Sequence, residues 1–364
     1  MADINSQLIT PLTGVSSAIQ QSTPLIADDL LEPRSLSING YNRSSDSQGS
    51  ELQNKNQHFL NSLYNSIPEN IHTFSKNIQN DTTNYTTEKD IFLDNSLITE
   101  IEESTDTGNF HSIGTTSLNL PHLSEADIDF YLFEDTELET SNETYIITHG
   151  WNSNGISEGQ WTDLASSVQT YSENANIIFA DWSDICTNPN YWQASQDTDV
   201  VGNAIADFLY IEGINPTQTT AIGHSLGAHV SGNIGERLNE LTGESLDMII
   251  GLDPAGPNFE GTASSNTSLR LDETDADRVV AFHSTKSLGY DSGLGDVDFY
   301  LNKWDDFNYR QPGQENFIAD HGYPIEVLNY LYQGKSYTQP DDTVFDYDDV
   351  LGIAPGRYDI STVV

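Results

Sequence analysis

From about Ser124 onward the chain lays down seven short apolar runs of strand length, one after another. They are IDFYLF (Ile128 to Phe133), TYIITHG (Thr144 to Gly150), NIIFADW (Asn176 to Trp182), TTAIGHS (Thr219 to Ser225), DMIIGLD (Asp247 to Asp253), RVVAFHS (Arg278 to Ser284) and DVDFYLN (Asp296 to Asn302). Between several of them the apolar residues step by three and four, as Val201, Ala204, Ile205, Phe208 and Leu209 do. Such a stripe is an amphipathic helix laid on a sheet. Leu226 to Leu241 and Pro324 to Tyr332 are further helix candidates. Near-continuous apolar strands alternating with helices predict an α/β domain with a mainly parallel central sheet.

The texture before this domain is different. Residues 1–124 are rich in Ser, Asn, Gln and Thr and sustain no apolar period beyond ELQNKNQHFLNSLYNSI (Glu51 to Ile67). A segment of that composition buries little apolar surface, so it reads as a polar, disordered leader. The expected organisation is therefore a leader over 1–124, an α/β domain over 125–335 and an acidic tail over 336–364. The first residues, MADINSQLITPLTGVSS, have no basic stretch and no unbroken apolar run, and do not read as a cleaved secretory signal. No run approaches the roughly 20 apolar residues of a spanning helix.

Charge narrows the partners. Against 56 Asp and Glu there are 13 Lys and Arg, a formal charge of −43 at pH 7. Nucleic acid is bound by cationic side chains that displace counterions from phosphates, so it is excluded as an expected partner. The single cysteine, Cys186, can form neither an internal disulfide nor a thiolate metal cage. A metal here would be a hard cation held by oxygens.

The sharpest local signal is Gly223-His224-Ser225-Leu226-Gly227, between an apolar run and a helix-forming one. Glycines flanking a serine suit a strained strand-to-helix turn that lifts the hydroxyl clear of the sheet, the nucleophile elbow of the α/β-hydrolase fold. The competing reading is an ordinary glycine-flanked turn. A nucleophilic serine needs a base and an orienting acid, in that fold in the order Ser, acid, His. The histidines after Ser225 are His229, His283 and His321. His229 sits one helical turn beyond the nucleophile, and His283 ends a strand where a core histidine is the commoner outcome. His321, expected in a loop just before a helix starting near Pro324, is favoured. Asp253 closes its strand before Pro254 and is the favoured acid. Asp181 also ends a strand but precedes the serine. Backbone N–H groups of Leu226 and of Trp151, in the turn His149-Gly150-Trp151, are placed to receive an oxyanion.

These residues resemble the pancreatic lipase family of triacylglycerol lipases, lipoprotein lipases and phospholipases A1. The matching segments are ITHGWNSNG, FADW, YWQAS, VVGNAIADF, GHSLGAHVSG, GLDPAGPNFE, LRLDETDADRV and GDVDFYLN, in the family's order over about residues 125–332. The resemblance implies Ser225, Asp253 and His321 as the triad and Trp151 and Leu226 as oxyanion donors. It implies that LRLDETDADRV is a calcium loop, with the carboxylates of Asp272 and Asp275 and the carbonyls of Thr267 and Arg270 as ligands. Calcium would be structural, and no cofactor is needed for the chemistry. The implied partner is a lipid or a lipid–water interface, and the implied setting is extracellular.

The departures bear on substrate. The family's loop-closing cysteines and its C-terminal β-sandwich have no counterpart, and only seven residues, Gln314 to Asp320, separate Gly313 from His321, where many members carry a long lid. The Ser284 to Gly295 loop is short as well. Shortened loops resemble the phospholipase A1 members and point to phospholipid or galactolipid, with triacylglycerol still open. Trp304, Phe307, Tyr309, Phe317 and Ile318 are candidates for an apolar rim. A non-catalytic lipid- or partner-binding protein on the same fold is the alternative, and loss of the serine, acid or histidine would have favoured it.

Overall fold

The computed structural model describes residues 98–99, 109–134, 137–260, 269–302 and 316–362. Most of the expected leader therefore lies outside the described residues. The seven expected strands all form, as β3 (Leu123–Phe133), β4 (Thr144–Thr148), β5 (Asn176–Asp181), β6 (Thr219–His224), β7 (Met248–Leu252), β8 (Val279–His283) and β9 (Val297–Leu301). Three more complete one ten-stranded sheet: β1 (Ile98–Thr99), β2 (Phe110–Leu120) and, past a small hairpin of β10 (Tyr337–Thr338) and β11 (Val344–Phe345), β12 (Gly356–Ile360). The order is β1-β2-β3-β5-β4-β6-β7-β8-β9-β12. Pairing is antiparallel among β1, β2, β3 and β5 and parallel from β5 through to β12.

The sheet is thus wider than the span 125–335. β2 falls within 1–124, and the 336–364 segment carries β12 and a short helix, α6 (Tyr347–Gly352), closed by an Asp346–Asp349 capping box. Tyr337, Phe345, Tyr347, Val350 and Ile360 are buried, so its acidic residues alternate with apolar ones that reach the core.

The five central strands β4 to β8 are buried at almost every position. Their side chains alternate between two cores, as a period of two requires. Ile146, Ile178, Ala221, Ile249 and Ala281 point to one face, under α3 (Tyr191–Ile211) and α4 (Leu226–Thr242). Ile147, Phe179, Ile222, Ile250 and Phe282 point to the other, under α1 (Gly159–Tyr171) and α5 (Phe317–Tyr332). A one-turn helix, α2 (Ser183–Cys186), follows β5. No described helix is long and apolar enough to cross a membrane.

Candidate active site

Ser225 sits between β6 and α4 with φ 58° and ψ −119°, a region that non-glycine residues enter only when the surroundings enforce it. The enforcement is steric and hydrogen-bonded. A Cβ on Gly223 would lie 2.1 Å from the carbonyl oxygen of Gly227, and one on Gly227 would lie 2.5 Å from that of Thr148, so helix and strand close on each other only if both are glycine. The N–H of Ser225 donates to the Leu252 carbonyl at 3.0 Å, and its carbonyl accepts from Ala228 and Ala255, each at 3.2 Å. Leu226 is the first residue of α4, so its N–H has no acceptor within the helix.

Asp253 follows β7 at φ 44° and is fully buried. Its Oδ1 accepts from the N–H groups of Ser284 (2.8 Å) and Thr285 (3.1 Å), and its Oδ2 from the Thr285 hydroxyl (2.7 Å). Oδ2 also meets Nδ1 of His321 at 2.6 Å. Burial alone would raise the Asp253 pKa, but the bond to His321 and the donors from residues 284 and 285 outweigh it and hold the carboxyl below its ordinary value.

His321 lies in the first turns of α5. The helix starts earlier than Pro324 because Asn316 caps it, accepting from Ile318 (3.0 Å) and Ala319 (3.2 Å), and an Asn N-cap outweighs the preference of proline for a first turn. Pro324 is therefore inside the helix. Ser225 and His321 line one cleft of about 670 Å³, together with Trp151, Trp161, Tyr191 and Ile318.

The turn after β4 closes over the nucleophile. A Cβ on Gly150 would stand 2.8 Å from the Cβ of Ser225 and 3.1 Å from the carbonyl of His224, so Gly150 brings the Trp151 backbone beside the serine. The Trp151 indole donates to the Asn188 carbonyl at 2.8 Å and meets Tyr191 edge-on.

The other candidates are engaged elsewhere. His283 is buried, with Nε2 2.8 Å from Asp298 and its ring stacked on Tyr300. His229 bridges the Ala255 carbonyl (2.8 Å) and the Leu271 N–H (3.1 Å), and burial drives its pKa down to about 3. Asp181 meets His149 at 3.2 Å and accepts from Ile156 and Ser183. Burial opposes its ionisation, but those partners hold its pKa well below the ordinary value. The His149–Asp181 pair and His224 escaped the sequence reading. The register of β4 against β5, Thr148 beside Ala180, puts His149 and Asp181 side by side, but adjacency of those two strands is not written in the sequence.

Of the calcium candidates, Thr267 lies outside the described residues. Asp275 is mostly buried, accepts from the Asp272 N–H at 2.9 Å, and is pushed up to about 7 by burial and by the carboxylates of Asp272 and Glu236. A hard cation fits such a pair, because it would remove the cost of ionising the buried carboxyl. Arg270 turns its guanidinium to the Tyr290 hydroxyl at 2.6 Å; being cationic, the guanidinium cannot ligate a metal ion, and the carbonyl oxygen is the one group of this residue of the right type. Among the described residues no cluster of three or more His, Cys, Asp or Glu could hold a metal, so carbonyls would have to complete the set. Of the rim candidates, Trp304, Phe307, Tyr309 and the Phe317 side chain lie outside the described residues, and Ile318 is 56% exposed.

Comparison with known proteins shows which chains this one is similar to. Lipase member H of Danio rerio is 32% identical over 291 residues, 74% of this chain and 62% of that protein. The phospholipases A1 of Vespula maculifrons and Vespa crabro are 40% and 37% identical over 186 and 193 residues, covering 48% and 50% of this chain and 59% and 60% of theirs. The chain spans about three-fifths of the length of these relatives. The lipase family model matches residues 124–330, which enclose the elbow at Ser225, the Asp253–His321 pair and the turn at Gly150. The chain belongs to the lipase family.

Proposed function

We propose that the protein is a carboxylic-ester hydrolase acting on lipid esters through an acyl-enzyme, with Ser225, His321 and Asp253 as its triad. One observation carries the reading: the 2.6 Å Asp253–His321 bond stands on the same cleft as a serine held in a strained elbow. Asp253 accepts a hydrogen bond from the Nδ1–H of His321, which fixes the tautomer that leaves Nε2 basic. Nε2 takes the Ser225 proton as Oγ attacks the ester carbonyl, and the N–H groups of Leu226 and Trp151 receive the oxyanion. The proton then passes to the departing alkoxide, and water, activated by the same imidazole, releases the fatty acid.

The short span from Gln314 to Asp320 before His321 supports phospholipid or galactolipid as substrate, with triacylglycerol or short esters next, and the lipid–water interface as the place of work. An extracellular setting is part of the same reading. Asp272 and Asp275, with the carbonyls of Thr267 and Arg270, would hold a structural calcium ion. The test is hydrolysis of phosphatidylcholine, monogalactosyl diacylglycerol, triolein and p-nitrophenyl butyrate by wild type and Ser225→Ala. Wild type is expected to cleave at least one lipid, and equal rates for the two proteins would refute the assignment.

A further inference from the structure

Two contacts on α5 have no part in the chemistry above. Pro324 has no N–H, so the carbonyl four residues earlier, that of Asp320, loses its helical donor. That carbonyl accepts instead from the Ser284 hydroxyl, at 2.5 Å. The next carbonyl belongs to His321 itself, and it faces Nε2 of His224 at 3.0 Å. A carbonyl only accepts, so Nε2 of His224 carries the proton and donates. The two imidazole rings lie 4.7 Å apart, inclined at 50°, and His224 also lines the cleft.

We infer that His224 and Ser284 are positioning residues, which tie the two backbone carbonyls at the proline-broken turn of α5 to the ends of β6 and β8 and so fix the height and angle of the His321 imidazole over Ser225. This rests on the triad reading above. The elements joined are the ones that must stay in register: His224 precedes the nucleophile, and Ser284 donates through its N–H to Asp253. Base, nucleophile and acid are thereby referred to one another through the backbone as well as through their side chains. Burial and the neighbouring His321 push the His224 pKa down to about 3, so it is a neutral donor at neutral pH.

Loss of a tether lets the base drift, and a misplacement of about 1 Å costs on the order of 100-fold in rate. The experiment measures kcat and KM on p-nitrophenyl butyrate for His224→Leu, His224→Gln and Ser284→Ala, with Ser225→Ala alongside. The expected result is a kcat about 10- to 100-fold lower for His224→Leu and Ser284→Ala, with KM within about twofold, and recovery to within about threefold of wild type in His224→Gln, whose amide can donate. Unchanged kcat in Ser284→Ala, or a fall in His224→Gln as deep as in His224→Leu, overturns the inference. Ser284→Ala removes one hydroxyl and keeps the fold, so the test stands even where His224→Leu does not fold. Full activity of Ser225→Ala would instead overturn the triad reading and is recognisable as that.

Discussion

Ser225 and Asp253, the two residues assigned to nucleophile and acid, both take positive φ without being glycine. Each ends a parallel strand, where the chain must turn at once to aim a side chain along the sheet's C-terminal edge, and the neighbouring hydrogen bonds over-determine the turn. Gly150 is the complementary case, a residue whose missing side chain makes room. Gly150→Ala would set its Cβ within 2.8 Å of Ser225 and push the Trp151 N–H away from the oxyanion. Its kcat should fall about 100-fold or more, the cost of one oxyanion donor, with an unchanged circular dichroism spectrum. Asp253→Asn should keep the geometry but present the wrong tautomer, lowering kcat by about 10⁴. Equal rates for either variant and wild type would contradict the assigned role. At this scale the sequence was legible where chemistry demands a local pattern, as in the glycine-flanked Ser225. It was silent on His224 and His149, whose partners are brought in by strands and helices far away in the chain.

The elements show why. β4 and β5, on either side of α1 in the chain, pair in parallel with Thr148 beside Ala180, and this pairing joins His149 to Asp181. Replacing Asp181 with Asn leaves a buried imidazole without its carboxylate and should cost roughly 3 kcal/mol at neutral pH. Because the folded carboxyl is held below its unfolded value near 3.8, that contribution is full above the unfolded pKa and is lost as pH falls through the folded one. Thermal melts of wild type and Asp181→Asn should therefore differ at pH 7 and converge towards pH 2. A constant difference would show that the ion pair is not its source. The strands buried on both faces were readable as apolar runs. β2 and β12 were not, because they lie towards the two margins of the sheet, where sequences such as GRYDI need only alternate weakly. The early start of α5 was hidden by Pro324, whose usual place is a first turn.

On the scale of the molecule the acidity lies mainly in residues 126–364, which carry 40 acidic and eight basic side chains, and no Lys or Arg occurs from Asp90 to Glu236. Such a field repels anionic surfaces and is screened over about 10 Å at 0.1 M salt. Hydrolysis of phosphatidylglycerol vesicles should accordingly rise with sodium chloride while that of phosphatidylcholine changes little, and a salt-independent ratio would contradict this. Calcium at about 100 times its dissociation constant should raise the melting temperature by some 5–10 °C, and Asp275→Asn should abolish the rise. An equal rise in that variant would remove Asp275 from the site. The most direct test of the whole account is covalent labelling with a fluorophosphonate, followed by peptide mass mapping. One adduct is expected, on Ser225, and its formation should slow at least a hundredfold in His321→Ala. Labelling of Ser225→Ala at the wild-type rate would contradict it.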